Sequence, residues 1–270
     1  MGPKTIIRGD LHADHYKIDD PLTLIGEPVM RGDLLIIAGD LCNNLRKKAR
    51  RFLPALVSAA GEGNVIVIPG NHDFYGDCLD KQDKIRDEVE RHEAVWGQMR
   101  EIVRGGERYL CCALWTDLTL TGPDSRVNGA AVRRVMNDYR YIRIESGGYR
   151  KAGTLDTLME HRRHRAWLEE RLAAPFNGRT VVVTHHAPLR EAAGDPPGPD
   201  ERGRPVLDAR DAYASDLAGM IERYQPDEWH FGHTHRPFEA RIGRTVISNV
   251  SVGYPDQRHE SQESLPGLGS

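Results

Sequence analysis

The sequence predicts a layered α/β fold, and three observations carry that reading. Short apolar runs recur along the 270 residues, amphipathic stretches separate several of them, and each run ends in glycine or polar residues. The runs are Thr5–Ile7, Leu34–Ala38, Val65–Ile68, Leu110–Leu114, Val181–Val183, Trp229–Phe231 and Val246–Ile247. Each is rich in β-forming residues and too short for a helix, so each is read as a buried strand.

The helices follow from spacing. Leu79–Val103 sets Ile85, Val89, His92, Trp96, Met99 and Val103 three or four residues apart, which predicts one long amphipathic helix. Two more are expected over Leu155–Leu172 and Tyr213–Tyr224. Pro54 argues against a continuous helix over 45–60. The stretch Gly194–Pro205 is rich in Gly, Pro and charge and reads as a flap-like loop. No repeat and no internal boundary is evident, so residues 1–255 are expected to form one domain and 256–270 a disordered, solvated tail.

Composition narrows the function classes. Lys and Arg total 37 against 40 Asp and Glu, a formal charge of −3. A near-neutral isoelectric point of about 6.5 counts against a nucleic-acid binder. The basic cluster Arg46-Lys47-Lys48 with Arg50 and Arg51 reads as a solvated helix face. No run approaches a membrane span, and a strand beginning at Thr5 leaves no room for a secretory signal. Cys42, Cys78, Cys111 and Cys112 form no C-x-x-C pair, so a reducing cytoplasm is the expected location.

The chemistry is concentrated where the strands end. The first runs into Asp10-Leu11-His12, the second into Gly39-Asp40, and the third into Gly70-Asn71-His72-Asp73. Later strands end in Thr184-His185-His186 and Gly232-His233-Thr234-His235. Ligands of open α/β sheets bind beyond the carboxyl ends of the strands, so these side chains are expected to converge. On an extended backbone D-x-H and H-x-H each place both side chains on one face. Glycines 39, 70 and 232 suit sharp turns or close approach to a ligand. The inventory of seven donors exceeds one four-coordinate site and suits two metals sharing a carboxylate.

The ordered set D-x-H, G-D, G-N-H-D, a His after an apolar strand, and G-H-x-H resembles the calcineurin-like metallophosphoesterase superfamily, over positions 10 to 235. The Gly70–Gly76 stretch, Leu114–Asp117, Met136–Tyr139 and Thr184–Pro188 are similar to its compact bacterial members. The resemblance implies a four-layer α/β/β/α sandwich of two mixed sheets flanked by helices. It implies that Asp10, His12, Asp40 and His235 hold one ion, with Asp40 bridging to a second ion completed by Asn71, His185 and His233. Imidazole, carboxylate and amide together suit Mn, Fe or Zn. Hydrolysis of phosphate mono- or diesters is then expected through a metal-bridging hydroxide. His72 would assist the leaving group, oriented by Asp73. Asn137, Tyr139 and Arg140 are candidate substrate contacts.

Other readings of these residues are specific. Asp10, Asp40 and Asn71 taken singly suit turns and caps. His186 and His230 read as supporting or core residues, and His15, His92, His161, His164 and His259 as packed or surface histidines. Cys42 reads as a small buried side chain near the site. The competing functions are a non-catalytic metal-binding scaffold of the same fold, a nuclease of the same superfamily, and a mononuclear zinc hydrolase. The expected partner is a small-molecule or macromolecular phosphoester, with nucleic acid disfavoured.

Overall fold

A computed structural model of the chain describes residues 2–18 and 20–257. In chain order the elements are β1 (Thr5–Arg8), β2 (Leu34–Ala38), α1 (Leu45–Ala60), β3 (Val65–Ile68), α2 (Gln82–Arg91), β4 (Val95–Trp96), β5 (Arg100–Arg104) and β6 (Glu107–Cys112). They continue with α3 (Ser125–Val135), the short α4 (Asp138–Tyr141), β7 (Arg143–Ile144), β8 (Arg150–Lys151), α5 (Thr154–Ala173) and β9 (Arg179–Thr184). The last are α6 (Ala218–Tyr224), β10 (Glu228–Phe231), β11 (Glu239–Ile242) and β12 (Thr245–Asn249).

Two sheets form the centre. The first is all parallel, in the order β1-β2-β3-β4. The second runs β11-β12-β10-β9-β6-β5, with four parallel inner strands and an antiparallel strand at each edge. A separate β7–β8 hairpin lies outside both.

Strand alternation builds the layers. On β2, Leu34, Ile36 and Ala38 pack with Ile66 and Ile68 against Tyr109, Cys111, Val181 and Val183 of the second sheet. The intervening Leu35 and Ile37 face Phe52, Leu53 and Leu56 of α1 and Ile85 and Val89 of α2. Val182 on β9 joins Leu110, Trp229 and Ile247 against Leu168 and Leu172 of α5 and Met220 and Ile221 of α6. The two sheets therefore share one apolar seam, and helices cover their outer faces. This is the four-layer α/β/β/α arrangement that the resemblance implies, except that the first sheet is parallel throughout and not mixed.

Three helix expectations need correction. Leu79–Val103 is a helix only over α2. The chain then turns at Glu93, whose φ is 61°, pairs as β4 with β3, and pairs as β5 with β6. Trp96 and Val103 kept a helical spacing by coincidence, and sheet pairing overrides it. Conversely, α1 runs straight through Pro54. Both Pro54 and Arg50 are exposed, so the carbonyl deprived of its helical donor faces water. The helix expected from Tyr213 starts only at Ala218. Ser215 and Leu217 instead donate their backbone N–H groups to Ala187 and Pro188.

All four cysteines are free and buried, and no helix among the described residues is long and apolar enough to cross a membrane. The 256–270 tail enters the structure at Pro255–Gln257, a single 3-10 turn. Residues 258–270, with His259, lie outside the described residues. Because Ile36 is completely buried between the sheets, Ile36→Ala should cost about 2–5 kcal/mol. Denaturant unfolding would register this as a lower midpoint with an unchanged slope.

Candidate metal centre

The carboxyl ends of β1, β2 and β3 meet those of β9 and β10. Cross-links fix that junction: His233 N–H donates to the Asp10 carboxylate at 2.9 Å, and His185 Nδ1 lies 3.0 Å from Ala38 O. The expected ligands converge here, though not by strand alternation. Asp10, His12, Asp40, His233 and His235 all have positive φ, between 40° and 67°. The donor side chains thus sit on left-handed turns just past the strands, a conformation costing of order 1–3 kcal/mol per non-glycine residue. Gly39, at φ 88°, continues the pattern, and a Cβ there would fall 2.2 Å from His185 Nδ1.

Ligand-capable atoms gather into overlapping groups within 4.8 Å: Asp10, His12 and His235; Asp40, His185 and His233; and His12, Asp40 and His72. Asp40 Oδ2 lies 3.7 Å from His12 Nε2 and 3.6 Å from His185 Nε2. Asn71 Oδ1 approaches His185 Nε2 at 2.9 Å. The Asn71 amide is held by Asp138, which accepts its Nδ2–H at 2.8 Å and the Tyr75 hydroxyl at 2.7 Å. A carboxylate only accepts, so the Asn71 oxygen is turned toward the cluster.

Burial dominates the electrostatics of the cluster. Burial, then the neighbouring Asp10 and Asp73 carboxylates, push Asp40 well above the usual carboxyl range. Burial likewise raises Asp138. It lowers His12, His185 and His233 well below the ordinary imidazole value. Among the described residues, no lysine or arginine pairs with Asp10, Asp40 or Asp138; the ion-pair neighbours of Asp10 and Asp40 are histidines. His235, against the effect of burial, is raised by Asp10. Buried carboxylates facing imidazoles are the donor set a transition-metal cation satisfies.

The sequence profile of the calcineurin-like phosphoesterases matches residues 3–237. The chain belongs to that family. A crystal structure of phosphopantetheinyl hydrolase from Mycobacterium tuberculosis shares the fold at a TM-score of 0.71 and 20% identity, covering 95% of this chain and 91% of that one. Sulfate thiohydrolase SoxB from Thermus thermophilus is more distant, at TM-score 0.37 and 13% identity over 82% of this chain and 34% of that one. Comparison with curated proteins gives no match. As a calcineurin-like phosphoesterase, the protein is a hydrolase of phosphoesters that uses divalent metal ions.

A cavity of about 490 Å³ opens over the candidate site, with Asn71, His72, His233 and His235 in its lining. The Gly194–Pro205 loop supplies Asp195 and Pro197 to its wall. His72 stands in that lining, but its partner is not the expected Asp73. Its Nδ1 faces Asn43 Oδ1 at 2.8 Å. Asp73 points the other way and accepts the backbone N–H groups of Asp40, Cys42 and Gly70, tying the β2 and β3 turns together. Burial raises the Asp73 carboxyl to about 7.

Of the expected substrate contacts, Tyr139 is buried against Leu118, Val132 and Leu158, with its hydroxyl 3.1 Å from Thr157 Oγ1. Arg140 is exposed and donates to Asn137 Oδ1. The helical turn of α4 directs Asp138 inward, so this stretch reaches the site through Met136, which lines the cavity, and through Asp138. His186 is buried with Nδ1 on the Ala113 carbonyl and joins no ligand group among the described residues. Burial also raises the Cys42 thiol well above its ordinary value, which leaves it unreactive. Asn43, Asp138, Tyr254 and Gln257 were missed by sequence reasoning; only Asp138 had a signal, in the M-N-D-Y stretch.

A Cβ at Gly70 would fall 2.1 Å from Asp40 Oδ1. Gly70→Ala should therefore displace Asp40 and lower bound-metal content on elemental analysis, while far-ultraviolet circular dichroism stays close to wild type.

Proposed function

We propose that the protein hydrolyses phosphate mono- or diesters with two transition-metal ions drawn from Mn, Fe or Zn. Asp10, His12, Asp40 and His235 would hold one, and Asp40, Asn71, His185 and His233 the other. The observation that carries this reading is the Asp40 carboxylate, nearly equidistant from His12 and His185 and set between two groups of donors. When bound, such a pair supplies Lewis acidity to the phosphoryl oxygens and lowers the pKa of the attacking water.

The chain's own residues do the rest. Asn43 donates Nδ2–H to the Asp14 carboxylate at 3.0 Å, and Lys48 anchors that carboxylate at 2.7 Å. Its oxygen is thereby turned to His72, and Nδ1 carries the proton. His72 Nε2 then faces the cavity, 3.3 Å from the Tyr254 hydroxyl, as the atom that exchanges a proton with the leaving oxygen. Burial lowers His72 to about 4. An anionic phosphoryl group arriving beside Nε2 raises it again, which couples protonation to substrate binding. Asp73 and Asp138 hold the turns and the Asn71 amide in place.

The test is turnover of bis(p-nitrophenyl) phosphate and p-nitrophenyl phosphate by protein stripped of metal and reloaded with Mn, followed by phosphopantetheine esters. Asn71→Ala should abolish whichever activity is found. No turnover of any ester with two equivalents bound would favour the scaffold reading. His72→Ala should lower kcat by about 10²–10⁴-fold with metal content unchanged. Because His72 also groups with His12 and Asp40, parallel loss of metal and activity would instead make it a ligand.

A further inference from the structure

Beyond the residues matched by the family profile, 250–257 return across the metal face as a strap. Gly9 N–H donates to Val250 O, Val252 N–H to Gly9 O, and Gly253 N–H to Asp10 O, at 2.9, 2.9 and 3.0 Å. The Tyr16 hydroxyl donates to Gly253 O at 2.8 Å. The strap is thus fixed to the turn that carries Asp10. Its last described turn brings Gln257 Oε1 within 2.6 Å of His235 Nδ1, and the same oxygen accepts the Tyr254 backbone N–H at 3.3 Å.

Those contacts fix a tautomer. A backbone N–H only donates, so the atom facing Tyr254 N is the amide oxygen and not the NH₂. An oxygen facing His235 Nδ1 requires Nδ1 to carry the proton. The remaining nitrogen, Nε2, is the one 3.0 Å from Asp10 Oδ1 and 3.1 Å from His12 Nε2. The other ligand histidines differ. His185 Nδ1 and His233 Nε2 rest on the main-chain carbonyls of Ala38 and Ala212, and His12 Nδ1 is buried without a partner. Among these described ligands, only His235 has the ring nitrogen turned away from the donor cluster held by a side chain. Tyr254, from the same strap, stacks on His12 at 4.2 Å between ring centroids.

We propose that Gln257 is a positioning residue for the cation held by Asp10, His12 and His235. It locks His235 as the Nδ1–H tautomer with Nε2 aimed at the ion. This rests on the metal-centre reading above and extends it to a segment outside the matched family region. Hydrogen-bond partners of this kind change metal affinity by about 10–100-fold when removed.

The test titrates chelator-stripped protein with Mn²⁺ by calorimetry. Gln257→Ala should weaken one of two equivalents by about 10–100-fold and leave the other unchanged. Gln257→Glu, whose carboxylate accepts from the same Nδ1–H, should restore wild-type affinity or exceed it. Equal affinities in wild type and Gln257→Ala would overturn the proposal at any stoichiometry, as would failure of Gln257→Glu to rescue. If wild type binds one equivalent and Gln257→Ala still weakens it, the proposal stands and the dinuclear reading fails.

Discussion

The structure depends on buried carboxylates that, among the described residues, no lysine or arginine pairs. Asp10 and Asp40 are almost fully enclosed; burial lowers His12, His185 and His233 well below the ordinary imidazole value, whereas His235, against the effect of burial, is raised by Asp10. Carboxylates so placed are unfavourable unless a cation joins them. Much of the surrounding architecture holds them there: left-handed turns, glycines that leave room for ligand atoms, and Asp73 tying two turns by three backbone hydrogen bonds.

A second layer of residues uses obligate donors and acceptors to aim groups that have two faces. Asp14 orients the Asn43 amide, which orients His72; Asp138 orients the Asn71 amide. Each step replaces a free rotation with a defined direction.

What the sequence made legible divides along the same line. The seven apolar runs were readable because strands such as β2 and β3 are buried on both faces and carry unbroken apolar residues. The edge strands β5 and β11 mix exposed and half-buried positions with charged residues; β5 falls at the end of the helical spacing over Leu79–Val103, and β11 offers no apolar run. The candidate ligands stood out because each follows a strand closely. Their supports did not, because Asn43 meets His72 across 29 positions, Asp138 meets Asn71 across 67, and Gln257 meets His235 across 22. Such partners become visible only when the chain is folded.

The seam between the two sheets has a consequence for the chemistry. Asp10, His12, Asp40 and Asn71 follow strands of the first sheet, whereas His185, His233 and His235 follow strands of the second. The separation of the donor atoms is therefore set by how far apart the sheets stand, and the side chains that set it are Ile36, Ile66, Val181 and Val183. Interiors pack too densely to absorb a changed volume without shifting their neighbours. In this fold the metal face acts as a gauge of the core, so the identity of an aliphatic side chain that never meets substrate becomes part of the catalytic specification.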